Sequence, residues 1–233
     1  MDNPFYKPGA ARATQVNRLF ATIARRYDRL NDLMSLGLHR RWKRRLVQLA
    51  GQPRDVLDLC CGTGDIAGLF TARRVVGVDF TEEMLQIAAA RTPRVTWIRA
   101  DALRLPFADA SFDAVTVGYG LRNLANIEHG LREVYRVLRP GGIFLSLDFG
   151  KPESKLWRWC YFTFLRTTVP VMGRAFCGDW HAYSYILTSL ENYPAQRGVQ
   201  HLMEQCGYTD CGFEESWDGA MAINFGRKKP ANQ

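Results

Sequence analysis

From residue 55 to residue 147 the chain alternates short apolar runs with helical segments, and this alternation limits the fold more than any other feature. The runs are Val56-Leu57-Asp58-Leu59, Val75-Val76-Gly77-Val78-Asp79, Val95-Thr96-Trp97-Ile98, Phe112-Asp113-Ala114-Val115-Thr116-Val117 and Ile143-Phe144-Leu145-Ser146-Leu147. Short, nearly continuous apolar runs are the mark of strands buried on both faces. Thr81 is placed to cap the helix after the second run, with Glu82 and Glu83 in its positive first turn. A further helix from Ile127 to Leu138 stops at Arg139-Pro140-Gly141-Gly142. Strands separated by helices predict a doubly wound α/β fold, with ligand sites at the carboxyl ends of a parallel sheet.

Other segments flank this core. Residues 1–16 read as a loose arm. Phe20, Ile23, Tyr27, Leu30 and Met34 then form one apolar helical stripe, Gly37 breaks it, and a basic helix runs from about Arg40 to Leu49. Residues 151–198 are rich in aromatics and read as a helical insertion. A last helix holds Leu202, Met203 and Cys206, and a last strand spans Gly219 to Phe225. The expected organisation is an arm with basic helices over 1–50, packing on a core domain over 51–233.

The charge is uneven. Of the formal net charge of +8, all lies in residues 1–50, with eleven Lys/Arg against three acids; residues 51–233 hold twenty of each. The densest run is Arg40-Arg41-Trp42-Lys43-Arg44-Arg45. Such a patch can meet nucleic acid, an anionic membrane or an acidic ligand, or be a solvated helix face. No run of about 20 apolar residues marks a membrane span, and no secretory signal opens the chain. Six cysteines, at 60, 61, 160, 177, 206 and 211, form no C-x-x-C pair and no zinc spacing. They read as reduced thiols of a cytoplasmic protein, and no metal is expected.

Val56-Leu57-Asp58-Leu59-Cys60-Cys61-Gly62-Thr63-Gly64-Asp65 is a strand running into a glycine-bearing turn and then a helix. Gly62, Gly64 and Gly68 give G-x-G-x-x-x-G, which is neither the dinucleotide fingerprint nor a P-loop, so a phosphate cradle is disfavoured. The segment instead resembles motif I of class I S-adenosylmethionine (SAM) methyltransferases, with Cys60 where the first glycine usually stands. Asp79 ends the second strand, where a carboxylate can accept both ribose hydroxyls of an adenosyl group. The resemblance implies further cofactor contacts at Asp58, Cys60, Gly62, Thr63, Gly64, Phe80, Asp101-Ala102, Gly118 and Tyr119. Gly118 replaces a serine that contacts SAM in some relatives.

The likeness extends over most of the chain, from about Gln15 to Lys229. Phe20 to Asp28, then Asn31, Met34-Ser35, Gly37, His39-Arg40 and Trp42-Lys43, resembles the N-terminal signature of the ubiquinone/menaquinone C-methyltransferase family. Gly120-Leu121-Arg122-Asn123, Pro106-Phe107 and Tyr183-Ser184-Tyr185 are similar to further segments of that family. The resemblance implies a class I, Rossmann-like methyltransferase that methylates a ring carbon of a polyprenylated quinol, with S-adenosylhomocysteine as by-product. It brings Tyr27 near the cofactor.

Ring methylation needs an activated carbon, and so a quinol hydroxyl that is ionised or nearly so. Arg122 cannot be a base, because guanidinium stays protonated, but it can stabilise phenolate charge. Asn123 is expected to orient the quinol oxygen. Asp148, ending the fifth strand, and His181 are the candidate bases. Tyr183, Tyr185 and Trp157 are expected to contact the substrate. A methyltransferase acting on RNA or another small molecule, or a SAM-binding scaffold without turnover, is the rival reading. No RNA-binding appendage or Asn-Pro-Pro-Tyr-like signature supports the first. The substrate makes anionic lipid the preferred partner of the basic N-terminal helices over nucleic acid, at the cytoplasmic membrane face. A homodimer is left open.

Overall fold

The computed structural model describes residues 37–177 and 189–231, with isolated positions 21, 24, 32 and 35; from 169 to 177 only the backbone is described. Tyr27, His181, Tyr183 and Tyr185 lie outside these residues.

Seven strands form one sheet in the order β3-β2-β1-β4-β5-β7-β6. β1 (Asp55–Leu59), β2 (Arg74–Asp79), β3 (Thr96–Arg99), β4 (Phe112–Gly118) and β5 (Leu138–Phe149) pair in parallel. β6 (Tyr208–Ser216) and β7 (Met221–Lys228) are an antiparallel hairpin, and β7 joins β5 antiparallel. The strand order reverses between β1 and β4, so a crevice opens there at the carboxyl edge.

Strand alternation sends side chains to two cores. Leu57, Leu59, Val115, Val117 and Phe144 face α3 (Ile127–Val137) and α5 (Ala195–Gln205) on one side. Val56, Ala114, Leu145 and Leu147 face Trp42 and Leu46 of α1 (His39–Ala50) and Ile66 and Phe70 on the other. α2 (Glu82–Arg91) follows β2, and α4 (Lys155–Cys177) follows β5. Residues 39–50 therefore share the core of the sheet. Burying Leu46 and Trp42 there contributes about 1.5–3 kcal/mol per side chain before ordering entropy is subtracted.

Four local expectations are corrected. After motif I there is only a 3-10 turn, Ala67–Leu69, and no full helix. The connection from β1 to β2 is instead held by Arg94, which donates to the carbonyls of Gly68 and Phe70 at 2.6 and 2.7 Å. The fifth strand begins at Leu138 and not at Ile143, with a register irregularity opposite Phe112 and Ala114 that takes up the Pro140-Gly141-Gly142 stretch. Strand β6 was not anticipated: its residues are polar and half-buried at a sheet edge, without the apolar run of a central strand. Thr81 holds the N-cap position of α2, but its hydroxyl does not cap the helix.

The basic run of α1 is largely spoken for. Arg40 pairs with Asp32 at 2.6 Å, Arg45 with Glu214 at 2.7 Å, and Lys43 is buried against Asp65 at 2.8 Å. Arg41 and Arg44 are exposed.

Candidate active site

Of the expected residues, Cys60 to Gly64, Asp79-Phe80, Asp101-Ala102, Gly118-Tyr119, Arg122-Asn123 and Asp148 stand at or just past the carboxyl ends of β1 to β5, while Trp157 is on α4. The turn after β1 begins at Cys60, whose φ of +54° is left-handed, where a glycine is the unstrained choice. Gly62 follows at φ +54° and Gly64 at φ +84°. A Cβ at Gly62 would meet nothing within 4 Å, so the turn faces open space. A Cβ at Gly64 would overlap the indole of Trp97 from β3, which also lies on Gly77. Trp97 thus seats the turn against the sheet, a role that its place in a strand did not reveal.

Asp79 closes this cradle. One carboxylate oxygen accepts the Gly62 N–H and the other the Thr81 N–H, both at 2.8 Å. Burial raises its proton affinity, while these N–H groups and the Thr81 hydroxyl pull it back. An open glycine turn beside a carboxylate fits the adenosyl group of SAM. Asp101 is exposed and accepts the Leu103 N–H at 2.9 Å, and Ala102 behind it is buried. Phe80 is exposed beneath the Arg99 guanidinium, 6.0 Å from its ring centre. Thr63 is buried in the turn.

Asp58 lies below the crevice. Its oxygens accept the Thr116 hydroxyl at 2.7 Å and the Ala67 N–H at 3.0 Å, which ties β1 to β4 and to the 3-10 turn. It therefore holds the turn from inside. Burial pushes its carboxyl up to about 7, against the pull of Thr116, Ala67 and Lys43. A carboxyl that holds its proton more tightly when folded contributes stability that is full below about pH 4 and lost as pH rises through the folded value. Asp58→Asn can accept the Ala67 N–H with its oxygen and donate from its amide to the Thr116 hydroxyl. The wild type is expected to lose more stability than this variant between about pH 5 and about pH 8. Denaturant titrations at the two pH values check this, and identical losses would contradict it.

Gly118 ends β4, and a Cβ there would overlap the Ile66 side chain, so Ile66 fills the space a serine would need. Tyr119 follows with φ +59°. A Cβ at Gly120 would overlap Cys60, so the side chain on motif I and the bare backbone at 120 are matched. Gly120→Ala should destabilise by about 1–3 kcal/mol, as overpacking does. Cys60→Gly in the same chain should recover at least half of that loss. Additive effects in the double variant would refute the match.

Arg122 and Asp148 meet at 2.9 Å, and both are buried. Arg122 also donates to the Tyr119 carbonyl at 2.7 Å and lies 5.1 Å from the Phe149 ring centre. Asp148 accepts the Phe149 N–H at 2.9 Å. Burial raises the proton affinity of Asp148 although Arg122 opposes it. Asn123 donates to the same Tyr119 carbonyl at 3.3 Å. Tyr161 of α4, half-buried, and Tyr193, buried, lie near enough to feel the charges of this pair, and desolvation raises both phenols. The sequence marks both among the aromatics of 151–198, but nothing in their spacing marks which face they bury or places them by this pair. Trp157 is tied to the β6–β7 turn, its indole N–H donating to the Trp217 carbonyl at 3.0 Å.

α1 also enters the site. Lys43 binds Asp65 of the motif I turn and lies 5.9 Å from the Tyr119 ring centre. Burial alone would raise the Asp65 carboxyl, but Lys43, Arg91 and His39 together hold it below the usual range. His39 is buried with its Nδ1 2.7 Å from the Ser35 hydroxyl. Burial and Lys43 lower its proton affinity. Asp113 stands at the opposite edge of the sheet, bound to Arg139 at 2.7 Å, away from the crevice. Among the described residues no group of three or more His, Cys, Asp or Glu is placed to hold a metal. Cys60, Cys61, Cys160, Cys206 and Cys211 are free thiols.

Comparison with known proteins bears on this crevice. The sequence profile of the ubiE/COQ5 methyltransferase family matches residues 9–228. The ubiquinone/menaquinone biosynthesis C-methyltransferase UbiE of Rubrivivax gelatinosus is 39% identical over 94% of this chain and 89% of its own. A demethylmenaquinone methyltransferase of Thermus thermophilus is 40% identical over 89% of this chain and 99% of its own. Among solved structures, a SAM-dependent methyltransferase of Thermotoga maritima superposes with a TM-score of 0.69 at 20% identity, covering 92% of this chain and all of the other. That likeness shows a shared fold.

Proposed function

Because this chain belongs to the ubiE/COQ5 methyltransferase family, we propose that it transfers a methyl group from SAM to a ring carbon of a polyprenylated quinol, in menaquinone or ubiquinone biosynthesis or both. The observation that carries the reading to chemistry is a buried cation, Arg122, two residues past Gly120, whose backbone lies against Cys60 of the motif I turn. When bound, SAM supplies an electrophilic methyl group and leaves as S-adenosylhomocysteine.

The residues divide the work. Asp79 accepts the ribose hydroxyls, and Asp101 with Ala102 borders the adenine. Cys60, Gly62, Thr63, Gly64, Phe80, Gly118 and Tyr119 form the remaining walls, Asp58 holds the turn from below, and Tyr27 is a further candidate cofactor contact. Arg122 favours the ionised quinol oxygen, which makes the adjacent ring carbon a nucleophile. Asn123 orients that oxygen. Asp148 fixes Arg122 and accepts the hydroxyl proton, with His181 as the second candidate acceptor. Tyr183, Tyr185 and Trp157 contact the substrate. The ring carbon gains the methyl carbon and then loses its hydrogen as a proton to the quinol oxygen, which restores the aromatic quinol, while the hydroxyl proton taken by Asp148 passes to solvent. Closing water out of the crevice strengthens the Arg122 field.

Among the described residues no helix is long and apolar enough to cross a membrane. Peripheral contact with an anionic membrane through the basic N-terminal helices belongs to the same proposal, with Arg41 and Arg44 as its exposed charges on α1. Nucleic acid is not a partner in this reading. The test is to incubate purified protein and methyl-labelled SAM with reduced demethylmenaquinone, with a demethylated ubiquinone precursor, and with RNA. Label is expected in a quinol, and label in RNA alone would overturn the reading.

A further inference from the structure

Helix α4 turns an apolar stripe outward. Leu156 is 73% exposed, Trp159 67% and Phe164 53%. They share one helical face with Cys160, Thr163 and Thr167, at steps of three and four. The opposite face is anchored to the protein. Leu165 is buried, the Tyr161 hydroxyl donates to the Ala220 carbonyl at 3.3 Å, and Arg158 donates to the Pro152 carbonyl at 2.6 Å. The patch continues through the hairpin turn. The carbonyl of Trp217 accepts the Trp157 indole N–H, Trp217 is itself 51% exposed, and its ring packs edge-on against Trp42 of α1 at 5.7 Å.

Charge decides what fits this face. From Lys155 to Cys177 the helix carries four basic residues and no acidic one; by helical spacing Lys155 and Arg166 border the outward stripe, Arg166 reaching Glu191 at 3.0 Å, while Arg158 belongs to the anchored face. Two copies meeting through it would bring like charges together, whereas an anionic lipid surface complements them. Exposed indoles flanked by Lys and Arg are what an element lying in the headgroup region presents.

We propose that the outward face of α4, together with Trp217, rests on an anionic bilayer and is the main membrane contact of the protein. Its purpose rests on the quinol reading, since a polyprenylated substrate dissolves in the bilayer, but its test does not. The full chain, without SAM or quinol, is sedimented with vesicles of phosphatidylcholine, alone or mixed with phosphatidylglycerol. Partitioning is expected on the mixed vesicles, weakened by salt. Trp159→Ser with Phe164→Ser should lower it roughly tenfold or more, and Arg41→Gln with Arg44→Gln should lower it less. Melting temperature and SAM affinity of the serine variant should match the wild type, because both side chains are exposed. Quenching of tryptophan fluorescence by brominated lipid in the unmodified protein tests the same contact without any variant. Unchanged partitioning of the serine variant, or absence of quenching, overturns the proposal. So does a serine variant that turns a dimer into a monomer and still binds vesicles. If partitioning behaves as expected and no quinol is methylated, the functional reading fails and the docking surface stands.

Discussion

Arg122→Ala is expected to lower kcat by about 10²–10³ while the Kd for SAM changes by less than about threefold. The guanidinium is fixed by Asp148 at 2.9 Å and by the Tyr119 carbonyl at 2.7 Å, so it meets developing negative charge without reorganising. The variant also leaves Asp148 buried without its cation, and breaking such a pair destabilises by about 3–5 kcal/mol. Assays therefore belong well below the melting temperature. Arg122→Lys is the companion variant: it keeps a charge and loses the planar fork, so its kcat should fall between wild type and Arg122→Ala. Collapse of SAM affinity with turnover kept at saturating SAM would remove Arg122 from the chemistry.

The second large effect is expected at Asp79. Asp79→Ala should raise the Kd for SAM by about a hundredfold or more, with kcat at saturating SAM changed far less. Truncation orphans the N–H groups of Gly62 and Thr81, each now 2.8 Å from a carboxylate oxygen, and removes the acceptor for the ribose. An unsatisfied buried donor costs about 1–3 kcal/mol, so the turn itself loosens. Asp79→Asn keeps one acceptor oxygen and should fall between. Isothermal titration with S-adenosylhomocysteine reads both variants, and affinity within a few-fold of wild type for the alanine variant would contradict the assignment.

The strands of the parallel core were legible because burial on both faces forces a continuous apolar run, as in Val75 to Val78. Asp79 and Asp148 stood out because each closes an apolar run, although such a carboxylate also holds turn N–H groups, as Asp79 does for Gly62 and Thr81. Strand β6 was hidden because a half-buried edge tolerates Asp210, Glu214 and Glu215. Lys43 was misread for a related reason. A basic run shows its charge in sequence but not its faces, and helical geometry carries Lys43 inward to Asp65 while Arg41 and Arg44 stay out. The aromatic content of residues 151–198 marks a helical insertion but not the faces of its helix. The helix splits its aromatics, with Tyr161 turned toward the Arg122–Asp148 pair and Trp159 and Phe164 toward solvent. Cys60 in place of a glycine left the left-handed turn intact because Gly120 yields the space.

The central claim is methyl transfer to carbon under control of the Arg122 cation. It is tested most directly by supplying SAM with a carbon-13 methyl group and reduced demethylmenaquinone, then locating the labelled methyl in the product by NMR. A methyl bonded to the quinol ring carbon, formed by the wild type and nearly lost in Arg122→Ala, is the predicted result. A methyl bonded to the quinol oxygen, or equal ring methylation by wild type and Arg122→Ala, would contradict it.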